Sequence, residues 1–305
     1  MDYVKARNSY VSKIDGRLAS ILDGKSHPPA IYESIAYSLL SKGKRLRPVL
    51  LLGACEAAIP PDTGDASHEV VKAFRLACSL DFACAVEMIH TYSLIHDDLP
   101  ILDNDDLRRG VPTNHKVYGD AVALLAGDAL LNMSYELMID NSIKYQYLRC
   151  LPAMAEVARA AGINGMIGGQ VMDVYTEGTR VDEATLHYIH ENKTAALIRA
   201  SVAAGAIIGG AEGAGLEKYR LAASNMGLAF QIMDDILDVT GSEADLGKPI
   251  GSDARNAKNT YVSIFGLERA KRDYFNLWDN CIVQFDELGA RFLTNLAKDL
   301  RDRVN

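Results

Sequence analysis

The sequence predicts an all-α protein in which the helices pack as a bundle. Apolar residues recur at helical spacing along almost the whole chain, for example at Phe82, Val86 and Ile89. Alternating β-branched runs are rare, and hydrophobic residues make up 49% of the chain, which is enough to bury a large core. No stretch has the composition of a flexible linker, so we expect one domain over residues 1–305.

The breaks between the expected helices carry Pro, Gly and small polar residues. They fall at residues 26–29, 59–64, 109–115 and 177–180, and Asp182 is placed to cap the helix that follows the last of these. A longer loop is expected over residues 240–251. The apolar segment Ala200–Ala211 is too short to cross a bilayer, so we interpret it as a buried core helix.

Charge and cysteine content limit the partners and the compartment. The formal net charge is −8, which disfavours nucleic acid and anionic lipid as main partners. The five cysteines include no Cys-x-x-Cys pair, so reduced thiols in a helical core are expected. Residues 1–20 lack an apolar run, and we predict a cytoplasmic protein with neither a signal peptide nor stable membrane anchoring.

An acidic cluster occurs at Asp234, Asp235 and Asp238. Asp234 and Asp238 lie four residues apart, so their carboxylates share one helix face and repel each other unless a cation lies beside them. Carboxylates without His or Cys are typical ligands of Mg²⁺.

The first acidic cluster along the chain contains Asp97, Asp98 and Asp103, and the cluster at Asp234 is the second. Asp97 and Asp103 are six residues apart with Pro100 between them, so the helix must kink or end there before the two can meet. Helical spacing alone does not establish a shared metal site. The alternative, two solvated acidic helix ends, is disfavoured because both clusters adjoin apolar helices and are followed by basic residues.

Basic residues occur at several positions along the chain, and their positive charge is suited to balance the negative charge of the acidic clusters. Lys44, Arg45 and Arg47 precede an apolar helix and offer phosphate ligands, although a charged surface loop is the alternative. Lys193 lies mid-helix among apolar residues, either extended towards solvent or paired with an anion. No P-loop motif is present, which excludes that class of nucleotide enzyme.

Four motifs in order resemble those of the trans-prenyl diphosphate synthases, the farnesyl and geranylgeranyl diphosphate synthases. The resemblance covers about residues 30 to 265 and rests on Gly43-Lys44-Arg45-x-Arg47-Pro48, Asp97-Asp98-x-x-x-x-Asp103 with Arg108-Arg109-Gly110, Asp234-Asp235-x-x-Asp238 and Leu246-Gly247-Lys248-Pro249-x-Gly251. Lys42 stands where a second Gly is common and Asn104 interrupts the acidic run, but no expected ligand is missing.

The resemblance implies a single-domain helical bundle around a deep central cavity, the isoprenoid synthase type. It also implies a Mg²⁺-dependent prenyltransferase of EC class 2.5.1, acting as a homodimer in isoprenoid biosynthesis. The substrates would be isopentenyl diphosphate and an allylic diphosphate, either dimethylallyl or geranyl diphosphate, joined head to tail.

The resemblance further implies a role for each matching residue. Three Mg²⁺ ions per site would be held by Asp97, Asp103 and Asp234, supported by Asp98 and Asp238. The allylic diphosphate would be bound by Arg108, Lys193 and Lys248, with Thr194 and Gln231 beside them. Isopentenyl diphosphate would be bound by Lys44, Arg47, His90 and Arg109. The catalytic set would be Asp97, Asp98, Asp103, Arg108, Lys193, Asp234 and Lys248.

Two of these assignments have a purely structural alternative. His90 would ordinarily be a core histidine, but it lies seven residues before Asp97 on the same helix face. Ser93 lies one turn before Asp97, and the aromatic Tyr92 beside it resembles the chain-length floor of bacterial farnesyl synthases. Helical spacing alone places Tyr92 off the Asp97 face, and an ordinary core tyrosine is the alternative. From this resemblance we expect the C15 product farnesyl diphosphate, with the C20 product geranylgeranyl diphosphate as the alternative.

Two other classes use similar motifs. A terpene cyclase also binds one diphosphate through Mg²⁺ and helical aspartates, but it has less need of the Lys44–Arg47 cluster. A non-catalytic partner subunit would be expected to have lost one aspartate motif, whereas both are present here.

Overall fold

The computed structural model describes residues 3–24, 28–61, 66–240 and 259–302. Within these ranges the helices are α1 (Tyr3–Leu22), α2 (Pro29–Leu39), α3 (Leu46–Ala58), α4 (Ala66–Asp97), α5 (Asn114–Tyr118), α6 (Asp120–Tyr145), α7 (Cys150–Ala161), α8 (Met166–Tyr175), α9 (Glu183–Ile189), α10 (Ala196–Gly209), α11 (Gly213–Thr240), α12 (Tyr261–Phe265), α13 (Leu267–Glu287) and α14 (Arg291–Arg301). The predicted all-α class is confirmed. The extent of the single domain, residues 1–305, stays a prediction.

Helix α10 is the centre of the bundle. All its residues except Arg199 are buried, and it packs against α3, α4, α7 and α11. The sequence is rich in Ala and Gly, and such small side chains allow neighbouring helices to approach closely. The helix overlaps the apolar segment Ala200–Ala211 predicted to lie in the core, and Ala200 to Gly209 are buried, so the prediction of a buried core helix is confirmed.

The contact between α10 and α3 depends on two glycines. A Cβ atom on Gly205 would lie 2.1 Å from the carbonyl oxygen of Leu51, and one on Gly209 would lie 2.3 Å from that of Cys55. These neighbours are backbone atoms, so they cannot move aside as a flexible side chain would. The close approach fixes the position of α3. It thereby also fixes the loop that precedes α3, here called the cationic loop, which carries Lys42, Lys44 and Arg45.

A π-helical turn, His190–Ala195, joins α9 to α10. The apolar spacing of this segment predicts one continuous α-helix, and the structure differs by this wider turn. A π turn inserts an extra residue into the helical register and often marks a functional site. Here it contains Lys193 and Thr194.

The C-terminal end of helix α4 carries the start of the first acidic cluster. It spans 32 residues, packs along α6 and ends at Asp97. The expectation that a helix ends or kinks before Asp103 is therefore confirmed.

A short antiparallel hairpin follows this cluster, with β1 (Leu107–Arg108) paired to β2 (Val111–Pro112). The sequence indicates only a loop here, because two-residue strands have no measurable alternation. The connecting residues Arg109 and Gly110 have φ values of 55° and 79°, which are the left-handed conformations of a tight hairpin turn. The turn points Arg108 and Arg109 in different directions.

Several smaller predictions are also confirmed. The Asp182 carboxylate accepts a hydrogen bond from the Thr185 amide at 2.8 Å and caps α9. All five cysteines are buried free thiols. The motif at 246–251, including Lys248, lies outside the described residues.

Helix α6 is the one described helix that is long and apolar enough to cross a membrane, judged by length and composition only. In the structure it packs on α4, and 33% of its most apolar window is buried. Its outer side leaves large apolar residues exposed, namely Leu124, Leu125, Ile139 and Ile143.

Substituting Gly205→Ala should lower the free energy of unfolding by about 1–3 kcal/mol, because the added methyl group overpacks the contact with Leu51. Denaturant unfolding measures this change. Gly16→Ala is the matched control, since Gly16 lies in exposed α1 with nothing within 4 Å of its Cβ position. The control should be stabilised by about 0.5–1 kcal/mol. Equal effects at the two positions would contradict the packing explanation.

Candidate active site

A cavity of about 1250 Å³ opens at the end of α4. Its wall is formed by the loop before α3, the α4 segment from Glu87 to Asp97, the hairpin, α8, the π turn and α11. Charged side chains surround one part of it and apolar side chains the rest, among them Leu94, Met166, Val171 and Phe230.

The backbone after α4 brings Asp103 back to Asp97. The Asp103 amide donates a hydrogen bond to the Asp97 carbonyl at 2.9 Å, and Asn104 adopts a left-handed φ of 50° as the chain turns. This turn overcomes the six-residue spacing that prevents a regular helix from pairing them. Asn104 tolerates the left-handed conformation better than most residues.

Burial makes the Asp97 carboxylate difficult to ionise. It raises the pKa of Asp97 from 3.8 to about 6, with Asp103 adding repulsion and Lys193 opposing the shift. A cation placed next to Asp97 and Asp103 would reverse this penalty. The pair is therefore electrostatically suited to a bound metal ion.

Asp98 faces the opposite way, towards the hairpin. Arg108 Nε donates to both of its carboxylate oxygens, at 2.8 and 3.2 Å, and Arg108 Nη2 contacts Asp98 again and Asp105 at 3.3 Å. Asp98 is buried, and burial raises the pKa of its carboxyl against the opposing effect of Arg108. Asp98 thus orients Arg108, whose side chain also lines the cavity.

The second acidic cluster lies on α11 across the cavity. Asp234 lines the cavity, whereas Asp235 and Asp238 are buried. Asp235 accepts hydrogen bonds from the Tyr261 amide at 2.6 Å and from Gln231 Nε2 at 3.1 Å. Asp235 therefore holds the end of α11 against α12 while Asp234 faces the cavity.

The π turn contributes two side chains next to this cluster. Lys193 Nζ forms an ion pair with Asp173 Oδ2 at 2.5 Å, so of the two predicted alternatives the pairing with an anion is the one observed. Thr194 Oγ1 donates to Gln231 Oε1 at 2.7 Å. Lys193 and Thr194 both line the cavity.

Sequence reasoning missed Gln170 and Asp173 on α8. Gln170 lines the cavity and Asp173 holds Lys193. The signal was the run Gly168-Gly169-Gln170-Val171-Met172-Asp173, in which two polar residues three apart follow a glycine pair. A Cβ atom on Gly169 would lie 2.2 Å from the Lys193 amide nitrogen, so this glycine allows α8 to reach the π turn.

The loop before α3 places Lys44 in the cavity wall, and the first turn of α3 places Arg47 there. Burial lowers the pKa of Arg47, while Glu87 and Asp234 oppose that shift. Arg45 differs from the expectation that it binds phosphate. Its guanidinium is buried and bonded to Asp15 and Glu87 within the protein.

Arg109 joins this loop to the hairpin. Its Nη1 donates to the Lys42 carbonyl at 3.1 Å, and it lies so close to Gly43 that a Cβ there would contact Nη1 at 2.6 Å. His90 lies in the same wall. Burial and the neighbouring arginines, Arg47 foremost, lower the pKa of His90 well below its usual range, so the imidazole is neutral at pH 7.

Tyr92 and Ser93 lie in the cavity wall, as the chain-length hypothesis requires. Tyr92 is buried, and its hydroxyl has no hydrogen-bond partner among the described residues. Burial, with smaller contributions from Tyr135 and Asp97, raises the pKa of Tyr92 to about 12. Ser93 donates to the His90 carbonyl at 2.9 Å.

The donors in the cavity fit Mg²⁺ that is shared with a phosphate ligand. Within the described ranges, no three His, Cys, Asp or Glu side chains form a complete metal site by themselves. Mg²⁺ is commonly bound by one or two carboxylates, with phosphate oxygens and water completing the shell. Asp97 with Asp103, and Asp234 opposite, provide oxygen donors of this kind.

Comparison with known proteins agrees with this geometry. The family description "Polyprenyl synthetase" matches residues 28–290. Farnesyl diphosphate synthase of Geobacillus stearothermophilus is 44% identical over 266 residues, which cover 87% of this chain and 84% of that protein. A chloroplastic geranylgeranyl pyrophosphate synthase of Capsicum annuum is 48% identical over 245 residues, or 80% of this chain. The chain spans 63% of the length of this plant relative and of another from Arabidopsis thaliana.

A solved structure has the same fold. The Helicobacter pylori geranyltransferase, in complex with magnesium and isoprenyl diphosphate, superposes with a TM-score of 0.78 at 32% identity, covering 97% of this chain and 96% of that one. The chain belongs to the polyprenyl synthetase family.

The stability of the metal-free protein should depend on pH through Asp97. Its folded pKa of about 6 exceeds the unfolded value of ~3.9, so the folded state retains a proton between these values. The free energy of unfolding should therefore fall as the pH rises from about 4 to 6. Melting curves in EDTA measure this trend. Asp97→Asn should reduce the slope, and an unchanged slope would contradict the assignment of the shift to Asp97.

Proposed function

We propose that the protein is a Mg²⁺-dependent prenyltransferase of EC class 2.5.1 that condenses isopentenyl diphosphate head to tail with dimethylallyl or geranyl diphosphate. The observation that carries this proposal is one cavity lined by Asp97 and Asp234, one aspartate from each acidic cluster, together with basic residues at the start of α3 and apolar side chains. Two diphosphates and their metal ions match that distribution of charge.

The acidic side chains divide into ligands and supports. Asp97, Asp103 and Asp234 bind three Mg²⁺ ions together with the allylic diphosphate, and Asp98 and Asp238 support them. Bound Mg²⁺ supplies positive charge that stabilises the leaving diphosphate. Asp98 supports the site by accepting hydrogen bonds from Arg108 Nε on both carboxylate oxygens, which orients the Arg108 side chain.

The cationic side chains separate the two substrates. The allylic diphosphate is bound by Arg108, Lys193 and Lys248. Thr194 and Gln231, which are hydrogen-bonded to each other, complete this diphosphate site. Lys44, Arg47, Arg109 and the neutral His90 bind isopentenyl diphosphate from the opposite side. Arginine suits this task because its planar donors match phosphate oxygens.

The reaction proceeds by ionisation of the allylic carbon–oxygen bond. Arg108 and Lys193 stabilise the negative charge that develops on the diphosphate. The double bond of isopentenyl diphosphate then attacks the allylic carbocation, and the released diphosphate accepts the proton that is lost. Leu94, Met166 and Phe230 in the wall keep water from the cation.

Farnesyl diphosphate is the proposed product, and Tyr92 is the residue that supports it. Its buried ring lies in the cavity wall about one turn from the first aspartate, where it limits the length of the prenyl chain. Relatives named for the C15 and the C20 products occur at similar identity, so relatedness alone does not choose between them.

The protein is further proposed to act in the cytoplasm as a homodimer, without nucleic-acid partners or stable membrane anchoring. The exposed apolar side of α6, including Leu125 and Ile143, supports the dimer because a second copy would cover it. Sedimentation of the purified protein at a monomer mass would contradict this state.

The direct test supplies purified protein with Mg²⁺, isopentenyl diphosphate and dimethylallyl or geranyl diphosphate, followed by mass spectrometry of the dephosphorylated alcohols. Farnesol is the expected product. Turnover of the allylic diphosphate without isopentenyl diphosphate would instead identify a terpene cyclase, and no turnover with any primer would point to a partner subunit.

Asp103→Asn should reduce kcat about 100-fold or more, because a carboxylate in contact with the metal is removed. Asp106→Asn is the matched control from the same acidic run. Asp106 is exposed and pairs with Lys116 at 2.7 Å, whereas Asp103 lies close enough to Asp97 to raise the pKa of its carboxyl. Its kcat should remain within about twofold of wild type. Equal losses in both variants would contradict the proposed metal role of Asp103.

Tyr92→Ala should lengthen the product from C15 towards C20, because removal of the ring opens the end of the cavity. Mass spectrometry of the alcohols measures the shift. Tyr92→Phe keeps the ring and should keep the C15 product. An unchanged product in the alanine variant would exclude Tyr92 as the length gate.

A further inference from the structure

Arg45, in the loop before α3, forms four hydrogen bonds within the protein. Its Nε donates to Asp15 at 2.8 Å, its Nη1 to Glu87 at 2.8 Å, and its Nη2 to the carbonyls of Leu39 and Ser41 at 3.0 Å each. The side chain is only 4% exposed. Four of the five N–H donors of this guanidinium are thus bonded within the protein, although the residue forms part of the cavity wall.

The backbone of Arg45 is unusual as well. It has a φ of 47°, a left-handed conformation that is unfavourable for a residue with a long side chain, and it stands at the N-cap of α3. Such conformations persist when surrounding contacts fix them. The bonds to α1, α2 and α4 provide those contacts.

Glu87 is the acidic partner that matters for the site. It is 3% exposed, lines the cavity and lies one helical turn before His90 on α4. Burial lowers the pKa values of Arg47 and Arg109, and the charge of Glu87 opposes both shifts. Glu87, Arg47 and Arg109 all line the same cavity, yet the hydrogen bond of Glu87 goes to Arg45.

A buried carboxylate that loses its partner is strongly unfavourable, so an ion pair with another nearby cation becomes favourable. Without Arg45, the nearby cations are Arg47 and Arg109. Arg47 Nε has no hydrogen-bond partner within the described residues, so it is open to a new acceptor. An ion pair between Glu87 and Arg47 would cancel the charge that a diphosphate needs.

We propose that Arg45 is a positioning residue that occupies Glu87 and thereby keeps Arg47 and Arg109 available for the diphosphate of isopentenyl diphosphate. This inference rests on the proposed function. Arg45 acts through Glu87 and does not itself touch the substrate.

The test compares four proteins in steady-state kinetics with geranyl and isopentenyl diphosphates: wild type, Arg45→Met, Arg45→Met/Glu87→Gln and Asp15→Asn. In Arg45→Met the KM for isopentenyl diphosphate should rise about tenfold or more, while the KM for geranyl diphosphate stays within about twofold. The double variant should restore the isopentenyl KM to within about threefold, because no charge remains at Glu87.

Asp15→Asn is the matched control. Asp15 binds the same guanidinium, but its side chain is 50% exposed and it does not line the cavity. Both KM values should stay within about twofold. A rise equal to that of Arg45→Met would show that anchoring of the loop is the main role, and would overturn the proposal.

Failure of rescue would also overturn it, since Arg45 would then act as an anchor whatever the charge at Glu87. Should Arg45→Met not fold, Arg45→Lys keeps a cation opposite Glu87 and should raise the isopentenyl KM less than about fivefold. A larger rise at unchanged thermal stability would contradict the charge explanation. If the wild-type protein consumes no isopentenyl diphosphate, the proposed function itself is wrong. If the wild type is active but the variants do not behave as expected, only the role of Arg45 is wrong.

Discussion

Burial of the Asp97 carboxylate, with Asp103 held next to it, is the constraint around which the site is organised. A backbone hydrogen bond of 2.9 Å forces the two residues together, and burial then makes ionisation of Asp97 costly. Lys193 and Arg108 reduce that cost only in part, because each is also paired with a carboxylate elsewhere, Lys193 with Asp173. Part of the negative charge at Asp97 and Asp103 is therefore not compensated by the protein, and metal ions bound together with a diphosphate would compensate it.

The helical scaffold brings the charged residues together by placing them at the ends of apolar helices. Helix α10 has an almost wholly buried surface and gives α3 and α11 a rigid support on opposite sides. The cationic loop is thereby fixed at one wall of the cavity and Asp234 at another. Arg109 links the hairpin to the carbonyl of Lys42, so the first acidic cluster and the cationic loop hold each other in place.

The sequence was sufficient for the features that depend on periodicity or on local chemistry. Helical spacing predicts the class and the buried α10, and the position of Asp182 predicts the cap of α9. Features that depend on tertiary contacts were not predictable. The partner of Lys193 is distant in the chain, and the two-residue strands around Arg109 are too short to show alternation. Arg45 was expected to bind phosphate, because its motif does not reveal that Glu87 and Asp15 surround it.

The π turn at His190–Ala195 constrains how this chain can vary in length. Such a turn is equivalent to a single inserted residue, and each residue of an α-helix accounts for about 100° of rotation. Deleting one residue here would restore a regular helix and turn α9 relative to α10 by that angle. Related sequences can therefore change the residues of this segment, but a one-residue gap within it would turn Lys193 away from Asp173.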